Sequence, residues 1–239
     1  LLLNNLLIFA IYFIFMGYLY AVICADVVNS TSLDLESMRR LRSIIDEVFS
    51  DIRLYRGVKF WGRVVKGDSI ECCFDSPMYA LRVAMALKCR MKWWASSLTY
   101  GDEELKHYGL RFSIGIGEMR IVDPYSDIMD GEAVYVAGRS LNMLNRDGET
   151  SAFAFVNADI GVKMLLESNI RLIDEYMNAM SARQCAVVYY KLLGFYEKEI
   201  SEVLNLSQPA VSLRAKGASW PLLNKALKII ESLDYGRYV

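Results

Sequence analysis

The chain contains one histidine, four prolines and no cysteines at metal-ligand spacing. A single imidazole, His107, limits imidazole chemistry to one residue and excludes histidine-rich metal centres. Flanked by Lys106 and Tyr108, it reads as an exposed loop residue. The five cysteines, Cys24, Cys72, Cys73, Cys89 and Cys185, are odd in number and unpatterned. That set suits small buried hydrophobes in a reducing cytosol and not a disulfide framework. The low proline content, with 15 glycines and 54% hydrophobic residues, excludes collagen-like, low-complexity and disordered chains. No charge of one sign dominates: 27 basic against 28 acidic residues leaves −1, so any nucleic-acid contact must come from a local patch. The stretch Ile114-Gly115-Ile116-Gly117 lacks the third glycine and the following helix of a dinucleotide fingerprint.

One long apolar run exists, at residues 1–15. No Lys or Arg precedes Arg39, which weakens both a signal peptide and a membrane span, and Met16-Gly17 offers an initiation point. The run is read as upstream translated sequence that is not native, with an anchor or an extra core element as alternatives. The chain is expected in the cytoplasm, with no membrane partner unless residues 1–15 are native.

From Tyr18 onward, β-rich and helix-periodic segments alternate. Tyr18–Val28 is a strand ending in Asn29-Ser30-Thr31. Met38, Leu41, Ile45, Val48, Phe49 and Ile52 recur at three- and four-residue steps, predicting an amphipathic helix that Gly57 closes. Val58–Val65 and Ser69–Phe74 predict strands joined by a hairpin at Lys66-Gly67-Asp68. Asp75-Ser76-Pro77 starts a helix with Leu81, Ala84, Leu87 and Met91 inward. A polar loop (Ser96–Tyr108), a strand (Leu110–Ile116), a loop through Asp123-Pro124 and Asp130-Gly131, a helix (Ala133–Leu144) and a strand (Ala152–Val156) follow. The order βαββαβαβ predicts an α+β fold, an α/β sandwich with helices on a sheet. From Ala158 the strands stop and helical periodicity continues to Leu233, which puts a domain boundary within 157–178.

Tyr18 to Val156 resembles the catalytic domain of class III nucleotide cyclases, a ferredoxin-like sandwich. The resemblance rests on Ala25-Asp26-Val27-Val28-Asn29-Ser30-Thr31, Gly67-Asp68 with Phe74-Asp75, the helix Ala80–Leu87, Ile114-Gly115-Ile116-Gly117, and Gly131 with Val134 and Arg139. It implies two carboxylates, Asp26 and Asp68, holding Mg²⁺ against a triphosphate. It further implies phosphate contacts from Asn29, Ser30, Thr31 and Lys66 near a helix N-terminus, and Arg139 stabilising transition-state charge. Three positions depart from the pattern. Val64 stands for the base-selecting lysine, with Arg63 and Lys66 nearby but differently placed. Tyr135 stands for the asparagine four residues before the arginine, and Ile128 for the base-selecting acid, with Asp127 one step away. Each retained residue also has an ordinary reading: Asp26 as a helix cap, Asp68 as a turn residue, Arg139 as a solvated helix residue.

Ser181-Ala182-Arg183-Gln184 is a capping box opening a helix that Gly194 stops. A short helix Glu197–Leu204, the turn Asn205-Leu206-Ser207 and a third helix capped by Ser207, with Pro209 in its first turn, complete a helix-turn-helix. The segment is similar to region four of sigma factors and to LuxR-type readers. On that resemblance Gln208, Ser212, Arg214 and Lys216 would face the DNA groove. Between Ser181 and Trp220, five basic residues stand against three acidic ones, a mild excess. Leu222, Leu223, Ala226, Ile229 and Ile230 predict a last amphipathic helix. The whole pattern resembles the SatD family of bacterial proteins.

The expected organisation is an apolar segment (1–15), a cyclase-like α/β domain (16–157), a helical linker (158–178) and a small all-α helix-turn-helix domain (179–239). The expected function is a DNA-binding transcriptional regulator acting on double-stranded DNA as a homodimer, whose catalytically degenerate cyclase-like half senses a nucleotide or dimerises. A metal-dependent nucleotide cyclase or related phosphoryl-transfer enzyme is the alternative, and a non-enzymatic interaction adaptor the second. Mg²⁺ is expected only with nucleotide binding.

Overall fold

In the computed structural model, which describes residues 18–98, 102–147 and 149–239, strand β1 (Leu19–Val27) fills the middle of the sheet. The reading of residues 1–15 lies outside the described residues. β1 pairs antiparallel with β3 (Ser69–Phe74) on one side and β4 (Leu110–Asp123) on the other. β2 (Trp61–Val65) pairs with β3, β5 (Ile128–Gly131) with the far half of β4, and β6 (Ser151–Phe155) runs parallel to its near half. The result is a mixed α+β architecture on a mainly antiparallel sheet, with strand order β2-β3-β1-β4-β5 and β6 also on β4.

Alternation along β1 sets the two faces. Ala21, Ile23, Ala25 and Val27 enter the large core with α1 (Leu35–Arg56) and α2 (Ala80–Ala95). Val22 and Cys24 enter a smaller cluster with Cys73, Ala133 and Ala137, beneath α4 (Glu132–Asp147). Asp26 continues the second set, so it sits on the α4 side where the sheet runs out of apolar cover.

The amphipathic stripe predicted for α1 is the one observed, opened by Asp34 accepting from the Ser37 amide at 2.7 Å and closed by Gly57 at φ 64°. Two elements differ from the sequence reading. The polar loop after Ser96 contains a short helix, α3 (Glu103–Tyr108), capped by Asp102, and His107 is exposed in its last turn. The segment read as a loop through Asp123 and Asp130 is a β4–β5 hairpin. Its strands are half exposed, and Arg120, Asp123, Asp127 and Asp130 break the apolar alternation that would have betrayed them.

Beyond β6 come α5 (Ile160–Asn178), α6 (Ala182–Leu193), α7 (Glu197–Val203), α8 (Gln208–Gly217) and α9 (Trp220–Glu231). The core does not stop at the sheet. Cys185, Val188, Tyr189, Leu192, Leu223, Leu227 and Ile230 belong to the same buried cluster as β1, and α6 packs along α2. A separate small cluster, Val187, Ile200, Val211 and Ala215, joins α6 to α7 and α8. All five cysteines are buried and free, and burial pushes the Cys24 and Cys73 thiols up to about 12. Among the described residues, no helix is long and apolar enough to cross a membrane.

α4 rests on the sheet through a glycine. A Cβ at Gly115 would stand 2.3 Å from the Ala133 carbonyl oxygen and 2.8 Å from the Ala137 nitrogen. Both obstacles are backbone, so neither can swing aside. Gly115→Ala is therefore expected to cost about 1–3 kcal/mol or more by pushing α4 off β4. Urea denaturation checks this; an unchanged midpoint would contradict the close approach.

Candidate functional site

Antiparallel register brings the expected carboxylates together. Asp26 lies opposite Ser69 of β3 on one side and Arg111 of β4 on the other. Asp68, next to Ser69, sits at the β2–β3 tip, where Lys66 (φ 50°) and Gly67 (φ 86°) take left-handed conformations. Asp68 and Asp26 thus share one end of the sheet. Lys66 projects from the same tip and is exposed.

The chain after β1 folds over this end. Asn29 takes a left-handed conformation (φ 49°), which asparagine tolerates better than most residues, and Ser30–Ser32 form one turn of 3₁₀ helix. Buried Ser30 donates its hydroxyl to Asp68, joining the turn to the hairpin tip. The Asn29 amide donates to Asp102 (3.1 Å) and Glu104 (2.9 Å), and that bond holds the Asp102 carboxyl below the usual carboxylate range. Thr31 is exposed. One expectation needs correcting. The amides after Asp26 belong to this 3₁₀ turn and not to a helix N-terminus, because α1 begins only at Leu35 with Asp34 as its cap.

The metal expectation meets a competitor. Arg111 grips both oxygens of Asp26, Nε to Oδ1 at 2.9 Å and Nη2 to Oδ2 at 2.8 Å. A carboxylate held by a bidentate guanidinium has its charge balanced and its best lone pairs taken. A two-carboxylate Mg²⁺ centre does not fit this arrangement. Among the described residues, no group of three or more His, Cys, Asp or Glu side chains is placed to hold a metal ion.

On β2 and β3 the same sheet face carries Arg63 and Glu71, paired at 2.6 Å. Arg63 also reaches Asp127 at 3.0 Å, in the turn between β4 and β5. The pattern's base-selecting positions fall on Val64 and Ile128, so the charged pair is formed one residue before each. Tyr135 is turned away, donating to Asp130, which holds that carboxyl below the usual range; Arg120 pairs with the same carboxylate. Arg120, Asp130 and Tyr135 line a cleft of about 530 Å³ with Glu118, Gly131 and Glu132. Glu118 lies opposite Leu19, at the other end of β1 from Asp26. Arg139 is exposed on α4, and the structure records no hydrogen bond or ion pair to it among the described residues.

Gln208, Ser212 and Lys216 are exposed at successive turns of α8, while Arg214 is half-buried. Ser207 caps this helix at the Ala210 amide, and Ser181 and Gln184 form the reciprocal capping box of α6. Glu197, Glu199 and Glu202 are all carried by α7, directly before α8.

No protein-family model and no curated protein matches the chain. Solved structures do resemble it. A bacterial light-regulated adenylyl cyclase has 16% identity over 57% of this chain and 75% of its own, with a TM-score of 0.41. The adenylyl cyclase CyaB from P. aeruginosa has 19% identity over 52% and 71%, with a TM-score of 0.36. The guanylyl cyclase Cya2 has 16% identity over 52% and 69%, with a TM-score of 0.35. These neighbours are nucleotide cyclases, and with them the expectation of a DNA-binding transcriptional regulator is overturned. The fold offers the physical reason: α6 and α9 are spent on the core, and the acids of α7 leave little net positive charge around Gln208, Ser212, Arg214 and Lys216.

Sequence reasoning missed Arg111, which holds both oxygens of Asp26, and the Arg63–Asp127 pair. Nothing local marks Arg111; only the β1–β4 register puts it beside Asp26. For Arg63 and Asp127 a signal existed, each being one residue from the expected position.

Proposed function

We propose that the chain binds a nucleoside triphosphate at the sheet end where Asp26, Ser30 and Asp68 meet, and acts on it as a class III cyclase or a related phosphoryl-transfer enzyme. The observation that carries this reading is the junction itself: the turn after β1 hydrogen-bonded through Ser30 to Asp68 at the hairpin tip, beside the Asp26–Arg111 pair. The amides of residues 29–31 and the Lys66 ammonium supply donors for phosphate oxygens. Arg63 with Asp127 offers a donor and an acceptor to a base edge. In the cyclase reaction the ribose 3′-oxygen bonds to the α-phosphorus, pyrophosphate leaves with the broken P–O bond, and the hydroxyl proton is lost. Arg139 and the exposed Tyr135 and Met143 of α4 favour a homodimer, in which a second copy brings further groups to the site. The organisation is SatD-like in this reading, with α6 to α8 as a helix-turn-helix type unit that braces the sheet domain, in a reducing cytosol.

Calorimetry with ATP and GTP, each with Mn²⁺, tests the reading. Binding of at least one is expected, and Asp68→Ala should weaken it about tenfold or more, equivalent to the loss of a charge-assisted contact. Cyclic nucleotide and pyrophosphate should appear in equal amounts. Absence of binding for both nucleotides would overturn the proposal.

A further inference from the structure

We infer that Arg111 is a resident cation at Asp26, so that a nucleotide bound at this sheet end brings one divalent ion fewer than a two-carboxylate site would hold. The inference rests on the nucleotide-binding reading above and sharpens it. Arg111 and Asp26 are direct cross-strand partners on the same face, and both side chains are largely shielded, at 27% and 22% exposure. Both guanidinium–carboxylate contacts have the length of strong charge-assisted bonds. A divalent ion ligated by Asp26 would have to sit about 2.0–2.1 Å from the same oxygens, in the space the two N–H donors fill. It would also face a fixed positive charge one side chain away. Asp68 is different. Its recorded partner is the Ser30 hydroxyl, which brings no charge to compete with an ion arriving with the phosphates.

Arg111 therefore does at Asp26 what a bound cation would do elsewhere: it fixes the carboxylate and balances its charge. This makes it a positioning residue, since it acts through Asp26 and the charge of the site.

The test counts metal ions by electron paramagnetic resonance of free Mn²⁺, with the α,β-methylene analogues of ATP and GTP as the nucleotides and the intact chain. One Mn²⁺ per bound nucleotide is expected for the wild type. Asp26→Asn should keep that stoichiometry, with the Mn²⁺ affinity changed less than about threefold, and Asp68→Asn should lose the ion. Arg111→Met should gain a second Mn²⁺, bound about tenfold or more tightly than any second ion in the wild type, and lose it again when Asp26→Asn is added. Two ions in the wild type, or loss of an ion in Asp26→Asn, would overturn the inference while leaving nucleotide binding standing. If no nucleotide binds, both readings fall together. Because Asp26→Asn removes no bulk, the result does not depend on Arg111→Met folding.

Discussion

Asp174→Ala is expected to destabilise the protein by about 3–5 kcal/mol, the range for removing one partner of a buried ion pair. Lys88 of α2 and Asp174 of α5 are both buried, and their ion pair is the most enclosed recorded in the structure. Lys88 also donates to the Thr150 hydroxyl at 3.1 Å; Thr150 donates in turn to Asp174 and accepts from the Asn178 amide at 2.9 Å. Next to this network Lys92 donates to the carbonyls of Met177 and Asn178, at 2.7 Å each, closing the end of α5. Removing the carboxylate leaves two buried ammonium groups without a counter-charge.

The pH dependence gives this prediction a second check. Burial pulls the Lys88 ammonium below the usual lysine range, and Asp174 pulls it back up. Without Asp174 the folded-state value drops further, while the unfolded chain keeps an ordinary lysine near about 10.4. Between those two values the unfolded state binds the extra proton, so stability of the variant rises with pH. Wild-type Lys88 lies below the usual range too, so the gap to wild type should narrow as pH rises from the variant's folded-state value to the wild type's, and stay level above it. Chemical denaturation at several pH values measures it, and a gap that widens would contradict the assignment. The double variant Lys88→Met/Asp174→Leu should recover most of the loss, because an apolar pair removes the stranded charge along with its partner.

What the sequence made legible follows from the range of the forces involved. The stripe of Leu41, Ile45, Val48 and Ile52, the capping box at Ser181 and the hairpin at Gly67-Asp68 are local, and each is where its residues placed it. The cross-strand meeting of Asp26 and Asp68 was implied only by resemblance, and the Ser69 register now supplies its geometry. The partners of charged residues were not legible. Arg111, Arg63 and Lys88 find their carboxylates 85, 8 and 86 residues away, and the two distant pairs depend on how strands and helices stack. By charge alone Arg82, Lys88 and Lys92 would all pass for the solvated side of α2, although Lys88, seven residues after Leu81 and four after Ala84, shares their face. All three are buried because α5, α6 and α9 cover that side as well.

The last of those covers gives the second large effect. Glu231→Ala, at the end of α9, is expected to cost about 3–5 kcal/mol. Glu231 holds the buried Arg82 guanidinium in a fork, Nε at 2.5 Å and Nη2 at 2.8 Å, while Nη1 donates to the Leu192 carbonyl of α6 at 2.9 Å. One arginine of α2 thus ties together α6 and α9. Loss of the carboxylate also brings a second cation into play, because Arg56 is pulled down by burial and by the nearby Arg82, and Glu231 opposes that. The penalty should be shared by the whole chain, since the core that includes Leu227 and Ile230 also includes Ile23 and Ile114. Wild type and variant should each melt in one transition, with the variant lower, and amide exchange in α6 and α9 should speed up together with that in β1. A variant in which α6 to α9 melt first, with the sheet transition unmoved, would show that these helices form a separate unit. A common transition would make them part of the frame that holds Asp26, Ser30 and Asp68 in register.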